Sequence, residues 1–174
     1  MISFFQKIVD VLNENKIPYM LSGSVAMSVY MLPRATRDFD FVVYMHQKQA
    51  LPFIEQFKEG YYCDADAVKD AIIRNSMFNI ISFESDYKAD FILMKEDEYG
   101  IEAFNRRNEM EYFGRAFFIA TAEDLIISKI KWIQDFQTPL QMDDIAKLSK
   151  LESLDWKYIN KWLQKLKLKT FNLF

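Results

Sequence analysis

The sequence predicts an α/β (α+β) protein: a mixed β-sheet core with flanking helices, followed by a helical C-terminal part. Three observations carry this. Short apolar runs bounded by turn residues alternate with segments of helical periodicity as far as about residue 120. From Thr121 to the end the periodicity is helical throughout. Apolar residues make up 51% of the 174, and 16 are Phe, so a large core can be buried.

Taken in order, Phe4, Phe5, Ile8, Val9 and Leu12 recur at helical spacing, giving a first helix that ends before Pro18. Tyr19-Met20-Leu21 reads as a short buried strand running into Gly23. Ser24 is placed to cap a helix over Val25 to Met31, which stops before Pro33. Phe39, Phe41 and Val43 alternate with Asp38, Asp40 and Val42, as in a half-buried strand. Gln47 to Lys58 reads as a helix with Pro52 in its first turn. Tyr61-Tyr62-Cys63 and a helix from Ala65 to Arg74 follow. Phe78 to Phe83 and Ala89 to Leu93 are consecutive strands joined by Glu84-Ser85-Asp86. A helix is expected over Glu98 to Arg107, and two short strands flank Gly114. Thr121-Ala122-Glu123-Asp124 opens a capped helix. The final helices are expected at 122–135, 139–150 and 155–168, so the domain reading is a core over 1–120 and a helical part over 121–174.

Composition narrows the function. The formal net charge of −3 opposes a protein that coats long nucleic acid by charge alone. One cysteine, Cys63, leaves no internal disulfide and fits a reducing cytoplasm. No secretion signal opens the sequence, and no apolar run approaches the roughly 20 residues of a membrane span, so no membrane partner is expected. With one His and one Cys, a zinc site of thiolates and imidazoles is excluded; a metal here needs oxygen ligands, as Mg2+ or Mn2+ does.

The chemistry concentrates between Leu21 and Val43. Gly23-Ser24 is a small-residue turn opening a helix, where backbone N–H groups can hold phosphates. Asp38 and Asp40 stand at i and i+2 on a strand, on one face, with Cα atoms roughly 6.5–7 Å apart. That pair can share divalent cations and present them to phosphates. Asp90, in Lys88-Ala89-Asp90-Phe91, supplies a third carboxylate. Arg34 and Arg37 flank the acidic pair and can meet phosphate oxygens. Alone, Asp-x-Asp is often a solvated strand face; with Gly23-Ser24 and Asp90 it points to metal-dependent chemistry on a nucleotide. Haloacid-dehalogenase phosphatases and sugar transferases place Asp-x-Asp after an apolar strand. Here the apolar residues follow the carboxylates, which opposes both.

Gly-Ser, a spacer of just over a dozen residues, Asp-x-Asp on a strand and a later strand Asp together resemble the nucleotidyltransferase superfamily of DNA polymerase beta. More closely, the chain resembles small bacterial nucleotidyltransferase-like proteins related to abortive-infection toxins of toxin–antitoxin systems. The run from Gly23-Ser24-Val25-Ala26 through Tyr30 and Pro33-Arg34-Ala35-Thr36-Arg37 to Asp38-Phe39-Asp40-Phe41-Val42 fits the first motif. Asn79-Ile80-Ile81 with Lys88-Ala89-Asp90-Phe91 fits the region of the third carboxylate. Thr121 to Trp132 and Asp143-Asp144-Ile145 fit the helical motifs. Two departures stand out: Gln141 takes the place of an Asp common in the related toxins, and the turn has a single glycine.

The resemblance implies a nucleoside triphosphate substrate and transfer of a nucleoside monophosphate to a hydroxyl of RNA, protein or a small molecule. Asp38, Asp40 and Asp90 would be catalytic residues and ligands of two Mg2+ or Mn2+ ions. Gly23, Ser24, Arg34, Arg37 and, by resemblance, Lys129 would bind the nucleotide. By resemblance alone, a toxin role, a tRNA acceptor and a cognate antitoxin partner are also expected. The alternative is a nucleotide-binding or regulatory module with the same fold and no turnover. Simpler roles stand beside these: Lys129 as a surface lysine, Asp143 and Asp144 as helix-surface charges, His46 and Cys63 as structural residues. Phe53, Phe57, Phe78, Phe83 and Phe91 are expected in the core. Lys157, Lys161 and Lys165 recur at i,i+4 as a basic ridge, either a solvated face or a contact for RNA phosphates.

Overall fold

The computed structural model describes residues 1–33, 35–112 and 114–174. Its framework is one mixed sheet. Strand β1 (Tyr19–Ser22) pairs antiparallel with β2 (Asp38–Val43), and the helix α2 (Gly23–Tyr30) connects them. Strand β5 (Lys88–Leu93) lies parallel to β2 on its other side. Strands β4 (Met77–Ser82) and β3 (Tyr61–Tyr62) extend that edge, while β7 (Arg115–Ile119) and β6 (Asn108–Tyr112) extend the other, giving the order β3-β4-β5-β2-β1-β7-β6.

One face of the sheet is aromatic and closed. Phe39, Phe41 and Val43 of β2 are buried against α1 (Ile2–Glu14), whose apolar stripe includes Phe5, Ile8 and Leu12. Phe41, Phe91 and Phe78 stack across three strands with centroid separations of 5.7 and 4.9 Å. Phe53 of α3 (Gln47–Glu55) meets Phe78 and Phe91 edge-on. Because strand side chains alternate, burying this face turns Asp38 and Asp40 onto the opposite one.

The remaining helices are α4 (Ala65–Arg74), α5 (Glu98–Asn105), α6 (Ala122–Ile133), α7 (Pro139–Leu148) and α8 (Trp156–Lys165). The α6 start is capped as expected, with Thr121 Oγ1 accepting from the Asp124 N–H at 3.2 Å. No helix among the described residues is long and apolar enough to cross a membrane.

Several expectations need correction. The cap of α2 is Ser22, not Ser24, and the helix begins at Gly23 itself. Pro52 lies inside α3 rather than in its first turn, because the helix starts at Gln47 with His46 as its cap. Gln49 Oε1 accepts from the His46 N–H at 2.9 Å, which gives His46 a place in the fold. Phe83 is not core: β4 ends at Ser82, so Phe83 enters the turn and is 70% exposed. The ridge on α8 is a solvated face, as expected, on which Lys161 and Lys165 pair with Glu102 and Glu98 of α5. Asp144 is no surface charge but one of the most buried polar residues of the chain, and Lys129 is buried with it.

Candidate active site

The site grows from strand register. Pairing of β2 with β5 sets Asp38 opposite Lys88 and Asp40 opposite Asp90. Pairing of β1 with β2 sets Ser22 opposite Asp40. Residues in register share a face, so Asp38, Asp40, Lys88 and Asp90 project together, beside the point where β1 turns into α2.

That turn touches the acidic pair directly. Gly23 has φ +63°, which favours glycine, and a Cβ built on it would lie 1.8 Å from Asp40 Oδ2. The missing side chain is therefore the space the carboxylate occupies. Ser24 sits in the first turn of α2. Its carbonyl accepts from Ser28 Oγ at 3.1 Å.

The three carboxylates differ in environment. Asp38 is exposed, with 55% of its side chain open to solvent. Asp90 is almost buried, and its Oδ1 has no hydrogen-bond partner among the described residues. Asp40 lies between them. Its burial, and then the charges of Asp90 and Asp38, lift its pKa to about 6, against the opposing pull of Lys129 and Lys88.

Two lysines answer this negative charge. Lys88 Nζ donates to Asp90 Oδ2 at 2.8 Å and lies 3.9 Å from Asp38 Oδ1, an arrangement that raises its own pKa through the bond to Asp90. Lys129 approaches from α6, donating to Gln141 Oε1 and Asp144 Oδ2 of α7, both at 2.9 Å. Gln141, the departure from the related toxins' pattern, thus keeps an acceptor oxygen on the same lysine.

Two sequence-expected residues stand apart. Arg37 does not join the carboxylates; its Nη1 is 2.8 Å from Asp86 in an exposed pair at the β4–β5 turn. Arg34 lies outside the described residues. No group of three or more His, Cys, Asp or Glu side chains among the described residues is drawn together as a metal cage.

The place of two residues escaped the sequence reading. Lys88 carried a usable signal, since it stands two residues before Asp90 on the same strand face. Asp124 was legible only as part of the helix start at Thr121–Asp124. It is buried between Thr121 Oγ1 and Tyr158 Oη, each donating at 2.8 Å, and pins α6 to α8. Its burial raises its pKa despite those bonds.

Comparison with known proteins bears on the fold. No protein-family model matches the sequence, and a search of curated proteins finds no match. Solved structures do match. The chain superposes on the antibiotic-resistance factor ANT(2'')-Ia in solution with a TM-score of 0.63 at 12% identity, covering 95% of this chain and 90% of that one. The crystal structure of ANT(2'')-Ia with adenylyl-2''-tobramycin gives 0.61 at 12% identity, covering 95% of each chain. The lincosamide adenylyltransferase LnuA, bound to lincomycin, gives 0.52 at 16% identity over 82% of this chain and 92% of that one. The chain has the nucleotidyltransferase fold.

Proposed function

We propose that this protein is a nucleotidyltransferase that moves a nucleoside monophosphate from a nucleoside triphosphate to the hydroxyl of a small molecule, using divalent metal. The observation that carries the reading is the contact between Gly23 and the Asp40 carboxylate, which sets a phosphate-holding turn against an acidic pair.

The donors fit Mg2+ or Mn2+. They are all carboxylate oxygens, from Asp38, Asp40 and Asp90; an ammonium already stands between two of them, and one Asp90 oxygen lacks a partner among the described residues. Bound there, the metal would withdraw charge from the triphosphate and acidify the attacking hydroxyl. The chain does the rest. The first N–H groups of α2, with the Ser24 hydroxyl, hold the outer phosphates, where the helix dipole favours negative charge. The acceptor oxygen attacks the α-phosphorus, the bond to pyrophosphate breaks, and the hydroxyl proton passes to Asp90. Lys129, fixed by Gln141 and Asp144, offsets charge on the Asp40 side. Arg37 can leave its exposed partner Asp86 for a phosphate at little cost.

The small-molecule acceptor is proposed by analogy with ANT(2'')-Ia and LnuA, whose crystal structures hold adenylyl-2''-tobramycin and lincomycin.

The test offers each α-labelled nucleoside triphosphate with Mg2+ and either total RNA or a panel of hydroxylated antibiotics that includes tobramycin and lincomycin. Label should pass to a small molecule and fall by about a thousandfold or more in Asp38→Ala plus Asp40→Ala. Nucleotide binding with no transfer would support the non-catalytic module. Transfer to RNA, with growth arrest relieved by a second protein, would support a toxin and its antitoxin.

A further inference from the structure

We propose that Lys88 is a tethered counter-cation: it holds the place between Asp38 and Asp90 that a divalent ion would take, must be displaced for that ion to bind, and so sets the metal affinity of the site. The inference rests on the assignment of these carboxylates as metal ligands and goes beyond it.

The geometry requires competition. A divalent ion takes carboxylate oxygens at about 2.0–2.6 Å. The Lys88 ammonium sits 2.8 Å from Asp90 Oδ2 and 3.9 Å from Asp38 Oδ1. An ion bridging Asp90 Oδ2 and Asp38 Oδ1 at metal distances would therefore fall where the ammonium stands. The ammonium is also an incomplete substitute. It leaves Asp90 Oδ1 without a hydrogen-bond partner among the described residues.

Register makes the arrangement built in. Lys88 is the direct partner of Asp38 across the parallel pair and precedes Asp90 by two residues, so its Cα is fixed beside both carboxylates. Its side chain is 34% exposed and has solvent to move into. Lys129, the other cation at the site among the described residues, is 7% exposed and anchored by Gln141 and Asp144, so it has no such exit. Of these two lysines, Lys88 is the one that can yield. A carboxylate cluster that must exist before metal arrives is thereby neutralised by a group that can leave.

The test uses Mn2+ titration at one fixed pH, followed by the electron paramagnetic resonance signal of free Mn2+. Wild type, Lys88→Met and the Asp38→Ala, Asp40→Ala double variant are compared. Lys88→Met should bind Mn2+ about three- to tenfold more tightly than wild type, the range an ordinary net hydrogen bond is worth. A second measurement needs no variant: brief acetylation of the wild type with peptide mapping by mass spectrometry. Labelling of Lys88, relative to the other lysines, should rise when Mg2+ is added. If Mn2+ binds in an aspartate-dependent way but Lys88→Met binds no more tightly, and Mg2+ leaves Lys88 labelling unchanged, the competition is refuted while the metal site stands. If neither wild type nor Lys88→Met binds Mn2+ through the aspartates, the metal assignment fails with it.

Discussion

Two lysines face the same acidic cluster, and their surroundings set them different tasks. Lys129 and Asp144 are closed between α6 and α7, each less than a tenth exposed, and Gln141 completes the ammonium's bonding. Lys88 pairs with Asp90 and Asp38 at an open sheet face, a third exposed. A buried pair cannot lose one member without stranding the other in low dielectric, whereas an open pair exchanges partners with water or solute at small cost. The first holds the C-terminal helices in position; the second is suited to give way.

The sharpest way to break this contrast is Asp144→Ala, which leaves the Lys129 charge buried and unpaired. It should cost about 3 kcal/mol or more in urea unfolding, while Lys88→Met, whose partners are one solvated and one almost buried carboxylate, costs less. Equal losses would erase the distinction.

Gly23→Ala comes next. The added methyl collides with the Asp40 carboxylate in a backbone conformation that alanine disfavours, so a loss of about 1–3 kcal/mol is expected, with weaker nucleotide binding. Normal stability would show that the turn can withdraw from Asp40.

The smallest effect concerns pH. Asp40 is lifted to about 6 by burial and its acidic neighbours. Between the ordinary carboxylate value and that figure, the folded protein binds a proton that the unfolded chain does not. Without divalent metal, stability should therefore fall as pH rises through this window. Asp40→Asn should remove up to about 2 kcal/mol of that fall, read from denaturation midpoints at about pH 4.5 and about pH 7.5. Parallel profiles for the two proteins would place Asp40 in a more solvated setting.

Local signals sufficed where the physics is local. Helix α4 lies where expected, from Ala65 to Arg74, because Asp64 caps it and Asn75 ends it in the left-handed region. Strand β2 follows its alternation for the same reason. Boundaries slipped where an element's end depends on its neighbours. The positive φ at Gly23, set against Asp40, starts α2 before Ser24, and the end of β4 strands Phe83 in solvent.

The sequence by itself determined the mixed-sheet class, the helical C-terminal part and one strand face carrying both Asp38 and Asp40. Alternation and capping act over a few residues, and both are written in the chain. The tertiary structure alone decided that Lys88 stands between Asp38 and Asp90, and that Lys129 and Asp144 are sealed together rather than solvated. Those outcomes depend on strand register and helix packing between segments dozens of residues apart, which no local pattern encodes.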